Sequence, residues 1–171
     1  MRIHVIGGGP AGLYLGILMK RRDPTHQIWI RERNRPQETF GFGVVFSAAT
    51  LGNLEEADPE SLREIRENFV WWDDIHTYMG GEKVVSTGHG FCGMARVKLL
   101  EILSRRAVEL GCILDYETEV ADPSDWGEAD VIVAADGVNS RIRTAFAEQH
   151  QPTVDMRPCR FIWLGANLKL P

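Results

Sequence analysis

The sequence predicts an α/β protein built on a parallel sheet flanked by helices, and three observations carry that expectation. An apolar strand at 2–6 runs straight into the glycine turn Gly7-Gly8-Gly9-Pro10-Ala11-Gly12 and then into a helix at 13–20. A second apolar strand at 27–31 ends on Glu32, about 20 residues beyond the glycines. Further strands at 112–117 and 131–135, with a helix at 96–110, continue the alternation expected of a doubly wound sheet. Together these features specify a Rossmann-like dinucleotide-binding fold, interrupted by an antiparallel hairpin at 70–87.

Each residue type in the first turn has a reason to be there. Gly7 allows the tight turn, Gly9 lets backbone approach a phosphate with no Cβ in the way, and Gly12 lets the helix pack closely on its strand. The N-terminus of the helix then offers unpaired N–H groups to an anion. Ala11, Leu15 and Leu18 form the expected packing face of that helix. Glu32 stands where an acid accepts hydrogen bonds from ribose hydroxyls, and its charge opposes a 2′-phosphate, although Arg33 beside it offsets part of that repulsion. The alternative is a Gly-rich turn joining an unrelated strand and helix, with Glu32 a solvated charge. Strand, glycines, helix, second strand and acid in register favour the dinucleotide.

Further along, 33–46 reads as a turn-rich loop ending in the apolar piece Gly43-Val44-Val45-Phe46. Helices are expected at 47–56 and 61–69, with Ser47 as a cap, Pro59 at the start of the second and Ser61 as its cap. Strands at 70–78 and 82–87, rich in β-branched and aromatic residues, flank Gly80-Gly81 and so form a hairpin. The helix at 96–110 carries Leu99, Leu103 and Val108 on its apolar face and stops at Gly111. Strand 131–135 ends in the turn Asp136-Gly137, with Ser140 and Arg143 one helical turn apart beyond it, and 160–170 reads as a last strand.

At 171 residues, the chain suits one domain with a sizeable core. Hydrophobic residues at 44% and charged residues at 25% are ordinary for a globular protein, which sets aside disorder. A formal charge of -5 without a basic run argues against nucleic acid, because phosphate contacts need clustered Lys and Arg. Arg21-Arg22 and Arg105-Arg106 read as solvated helix ends. Cys92, Cys112 and Cys159 lack metal or disulfide spacing, so no metal is expected and a reducing, cytoplasmic setting is. The glycines near the start argue against a secretory signal, and no apolar run reaches the roughly 20 residues of a membrane span.

Combined, these segments resemble the FAD-dependent aromatic hydroxylases, the p-hydroxybenzoate hydroxylase-like flavoprotein monooxygenases. Gly7, Gly9, Pro10, Ala11 and Gly12 with Glu32 and Arg33 are similar to that family's FAD-AMP motif. Asp136-Gly137 with Ser140 and Arg143 resembles its second Asp-Gly fingerprint, which the family uses near the flavin pyrophosphate and for the nicotinamide cofactor. Arg96 with Leu99 and Leu103 is similar to its Arg-x-x-Leu-x-x-x-Leu helix, whose Arg reaches toward the FAD phosphates. Gly43 and Val44 lie in Gly41-Phe-Gly-Val-Val45, similar to the loop beside the isoalloxazine. That loop and Thr87-Gly-His-Gly-Phe-Cys-Gly93 most resemble the branch acting on coenzyme A thioesters of salicylate or anthranilate.

The resemblance implies FAD as cofactor, NADH or NADPH as electron donor, and dioxygen added through a C4a-hydroperoxyflavin to an electron-rich aromatic small molecule or its CoA thioester. It also implies that the hairpin belongs to a substrate domain whose remaining strands come later, with 1–158 as the FAD-binding domain and 159–171 as the start of the next. The family's Gly-Asp motif near the ribityl chain has no counterpart here, because no Gly-Asp dipeptide occurs. The expectation is therefore the N-terminal part of a longer enzyme, inactive alone. No acid, base or nucleophile stands out as catalytic, since the cofactor carries the chemistry. His4, His26, His76 and His89 read as structural or solvated. A dehydrogenase or reductase on the same fold, or a non-catalytic FAD-binding module, are the other classes the residues allow.

Overall fold

The computed structural model describes residues 1–36, 38–120, 122–160 and 162. In chain order the strands are β1 (Arg2–Ile6), β2 (Gln27–Arg31), β3 (Gly43–Phe46), β4 (Val70–Trp72), β5 (Ile75–Met79), β6 (Glu82–Ser86), β7 (Phe91–Ala95), β8 (Ile113–Asp115) and β9 (Val131–Ala134). The helices are α1 (Pro10–Arg22), α2 (Ala48–Ala57), α3 (Pro59–Glu67), α4 (Arg96–Glu109), α5 (Arg141–Ala145) and α6 (Ala147–His150).

Four strands form a parallel sheet in the order β8-β2-β1-β9, with β1 paired to β2 on one side and to β9 on the other. Burial on both faces accounts for the composition of β1, where Ile3, Val5 and Ile6 are all buried, with His4 buried between them. The second body is antiparallel, β3-β7-β4, and β5 and β6 stand apart as a hairpin. One apolar core, including Val5, Leu13, Ile17, Ile30, Leu99 and Ile102, joins sheet, α1 and α4. Among the described residues, no helix is long and apolar enough to cross a membrane.

Several expectations are corrected. The buried face of α1 is Gly12, Leu13, Gly16, Ile17 and Lys20, whereas Ala11 is exposed. Gly16 faces the sheet so closely that an added Cβ would lie 2.8 Å from Ile30 Cδ1, and the two helix glycines set the face. In α4, Val108 is 55% exposed, and Leu99, Leu100, Ile102, Leu103 and Ala107 carry the packing. The strand expected at 70–78 breaks at Asp73-Asp74. Its first part pairs with β7, a strand the sequence reading missed, and only β5 enters the hairpin. The break is built by Asp73, whose carboxylate accepts from the N–H groups of Gly88 and Gly90 at 3.1 and 2.9 Å. Gly80 and Gly81 make the hairpin turn with φ of +61° and +87°, a conformation open to glycine without strain. The apolar end of the 33–46 loop is the strand β3, and the strand expected at 160–170 lies outside the described residues except for 160 and 162, which are irregular.

Asp58 explains the largest departure. Pro59 opens α3, but Ser61 is no cap: it is buried and donates to Asp58 Oδ2 at 2.6 Å. Asp58 is itself fully buried and paired with Arg21 of α1 and Arg106 of α4, the latter at 3.3 Å from both oxygens. The arginines read as solvated ends therefore clamp three helices on one carboxylate. Burial pushes the Asp58 carboxyl up, but hydrogen bonds from Ser61, Arg106 and Arg21 outweigh it and hold the group below the usual carboxylate range. Its stabilisation is thus present above the unfolded pKa, about 3.9, and is lost as pH falls through the lower folded value. Urea midpoints measured from pH 6 down to pH 3 are expected to fall more steeply for the wild-type chain than for Asp58→Asn, which lacks that titration.

Candidate functional site

The parallel strands β1, β2 and β9 end at a cleft lined by Gly7, Gly8, Gly9, Glu32, Arg33, Asn34, Arg96 and Asp136. This is where α/β sheets place ligands, because the chain leaves β1 between neighbours approached from opposite sides. Gly7 donates to Arg31 O at 2.8 Å and takes φ +111°, and a Cβ there would lie 2.3 Å from Ala135 O. A Cβ on Gly12 would lie 2.0 Å from Gly7 O, so these two glycines close the turn against β9. Gly9 is different: no other atom lies within 4 Å of its would-be Cβ, and as N-cap of α1 it provides no side-chain cap. Open space thus faces the bare, positive end of a helix whose first turn holds no acid.

Glu32 crosses back over the turn. Its Oε2 accepts from Gly8 N at 2.8 Å, and its Oε1 from Asn34 N at 2.9 Å and Asn34 Nδ2 at 2.8 Å. Arg96 is the first residue of α4, a position where the helix dipole disfavours a cation, and no side chain caps that helix. Its Nε donates to Thr39 Oγ1 at 2.8 Å, and both residues line the cleft. Asp136 Oδ2 accepts from Arg141 N at 2.8 Å and from Ile142 N at 3.4 Å, while its buried Oδ1 has no hydrogen-bond partner among the described residues. Ser140 caps α5 by accepting from Arg143 N at 3.0 Å, and Arg143 donates to Val138 O at 2.6 Å.

The other residues singled out in the sequence stand nearby in different roles. Pro10, Ala11 and Gly12 form the first turn of α1 behind the cleft wall. Gly137 makes the turn after Asp136 with φ +87°. Gly43 and Val44 belong to β3, opposite Ala95 and Met94, and do not line this cleft. Their strand meets it indirectly, since Arg96 N donates to Phe42 O at 3.1 Å. Asn34, Thr39 and the ion pair of Arg141 with Glu119 at 2.5 Å were not anticipated. Asn34 alone had a sequence signal, an amide two residues beyond the expected acid. The uncapped glycine turn, the cation Arg96 and the orphaned Asp136 Oδ1 suit a dinucleotide such as FAD, which presents both anionic and hydroxyl groups.

No protein-family model matches the chain. It is 41% identical over 167 residues to a salicyloyl-CoA 5-hydroxylase from a Streptomyces species, spanning 98% of this chain and 32% of that protein. A 3-hydroxy-4-methyl-anthranilyl-[aryl-carrier protein] 5-monooxygenase of Streptosporangium sibiricum is 32% identical over 99% of this chain and 48% of its own length. Among solved structures, tetrameric 2-methyl-3-hydroxypyridine-5-carboxylic acid oxygenase superposes with a TM-score of 0.73 at 28% identity, over 85% of this chain and 42% of that one. The chain is homologous to the flavin-dependent aromatic monooxygenases. It spans about a third to a half of the length of the curated monooxygenases it matches.

Proposed function

We propose that the cleft binds FAD by its adenosine and pyrophosphate half, within a monooxygenase that hydroxylates an aromatic acyl thioester using NADH or NADPH and dioxygen. The observation that carries this reading is Arg96, a cation at a helix start facing the same space as the uncapped Gly9 turn. Both features are unfavourable or idle unless an anion joins them. Glu32 offers an acceptor to ribose, Asp136 its free Oδ1 to a hydroxyl of the cofactor, and Arg33 flanks the adenosine end. Gly137 keeps the Asp136 turn clear of side chains, and Gly43 and Val44 run toward the flavin ring. Residues 1–158 form the FAD-binding domain in this reading, with 159–171 opening the next. When bound, FAD supplies the redox chemistry that no side chain here provides. The thioester assignment draws on the two curated relatives, whose names specify aromatic acyl groups on coenzyme A and on a carrier protein.

The first test is the visible absorption of the purified chain after FAD is added and the excess removed. A retained flavin spectrum is expected, and Arg96→Ala is expected to weaken FAD by about tenfold or more while leaving the melting temperature unchanged or slightly higher, because a cation is lost from a helix start. A folded protein that binds neither FAD nor ADP would overturn the reading. Oxygen-dependent NADH or NADPH consumption stimulated by salicyloyl-CoA more than by free salicylate tests the substrate class.

A further inference from the structure

The hydrogen bonds around Glu32 set how many ligand hydroxyls it can take. An ionised carboxylate offers about four lone-pair positions, two per oxygen. The chain itself occupies both on Oε1, through Asn34 N and Asn34 Nδ2, and one on Oε2, through Gly8 N. One position remains, on Oε2. The backbone beneath is pinned independently of these side chains: Glu32 N donates to Asp115 O at 2.8 Å, Thr118 N to Glu32 O at 2.9 Å and Glu117 N to Asn34 O at 3.3 Å. Gly8 leaves the room Glu32 occupies beside the turn, since an added Cβ there would lie 2.8 Å from Glu32 Cβ. The remaining freedom of the carboxylate is rotation, and the Asn34 amide opposes it.

We infer that Asn34 is a positioning residue, holding Glu32 so that its single open lone pair accepts one hydroxyl of a vicinal diol rather than two. The inference rests on the dinucleotide reading of the cleft and deepens it. The diol of a nucleotide ribose then contributes asymmetrically: one hydroxyl meets a fixed, charged acceptor, while the other finds no second acceptor on this side chain. Asn34→Ala removes only the Nδ2 donor, because the backbone N–H of residue 34 still reaches Oε1. Gly8 N and the residue-34 N–H still fix the carboxylate, but the second lone pair of Oε1 is vacated, so each hydroxyl of the diol can find an acceptor on this side chain.

The test is calorimetric titration of the full chain with ADP, 2′-deoxy-ADP and 3′-deoxy-ADP. In the unsubstituted protein, one deoxy analogue is expected to bind about tenfold or more weaker than ADP and the other less than about threefold weaker, since a hydrogen bond to a charged group decides only the first. In Asn34→Ala, ADP is expected to bind at least as tightly and the two analogues to lose affinity relative to it equally, within about twofold. Equal losses for both analogues in the unsubstituted protein would overturn the single-acceptor geometry without any variant. An unchanged asymmetry in Asn34→Ala would overturn the role of Asn34. ADP that fails to bind a folded chain would instead overturn the dinucleotide reading.

Discussion

Asp58→Ala is expected to destabilise the fold by about 3–5 kcal/mol, a large part of the stability of a domain this size. The carboxylate has no exposure and holds Ser61, Arg21 and Arg106, so the substitution leaves two guanidinium groups in a partly dry space with a hydroxyl whose acceptor is gone. Removing one partner from a buried ionic cluster costs far more than the cluster's net worth, because the remaining charges keep their desolvation penalty. Glu60 moderates the loss, since it already pairs with Arg106 and is half exposed. The cost is expected to fall on the docking of α1, α3 and α4 rather than on the parallel sheet. Urea unfolding at pH 7 measures it, and a loss under about 1 kcal/mol would show that the cluster is dispensable.

The glycine turn supplies the second large effect, as a contrast between two positions three residues apart. Gly12→Ala brings a methyl to 2.0 Å from Gly7 O, with Val5 Cγ1 at 3.1 Å behind it, so the obstacles are the backbone of the turn and a side chain of β1. The backbone must move, and overpacking of this kind costs about 3 kcal/mol or more. Gly9→Ala meets nothing within 4 Å, and its φ of -71° with ψ of 177° suits any residue. Its stability cost is expected to stay near the 0.5–1 kcal/mol of a weaker N-cap, roughly. Its FAD affinity is expected to fall on the order of 100-fold, because the methyl fills the space through which a pyrophosphate approaches the helix start. Thermal melts and FAD titration of the two variants separate fold from binding. Wild-type affinity in a folded Gly9→Ala chain would show that the phosphate lies elsewhere.

Legibility in the sequence followed the range of each interaction. The strands β1, β2 and β9 and the turn between β1 and α1 were readable because local pattern decides them: apolar runs, glycines at fixed offsets and a single acid. The packing face of α1 was misread because its deciding contacts are absences of side chain at Gly12 and Gly16, which count as nothing in a hydrophobic pattern. The hairpin was readable from Gly80-Gly81, yet its first strand was overextended because Asp73 closes on Gly88 and Gly90, a partnership no local window contains.

The sequence by itself determined the parallel α/β frame, the glycine turn and the acid at the end of β2, since each follows from backbone conformation and spacing within a few dozen residues. Only the tertiary structure decided that Asp58 gathers Arg21 and Arg106, that Arg96 and Asp136 come to the same cleft as Gly9, and that Asn34 and Gly8 together take up most of the acceptor capacity of Glu32. The physical reason is that charges and hydrogen bonds are satisfied by whatever folding brings within about 3 Å, whereas hydrophobic periodicity records only which side of an element faces inward.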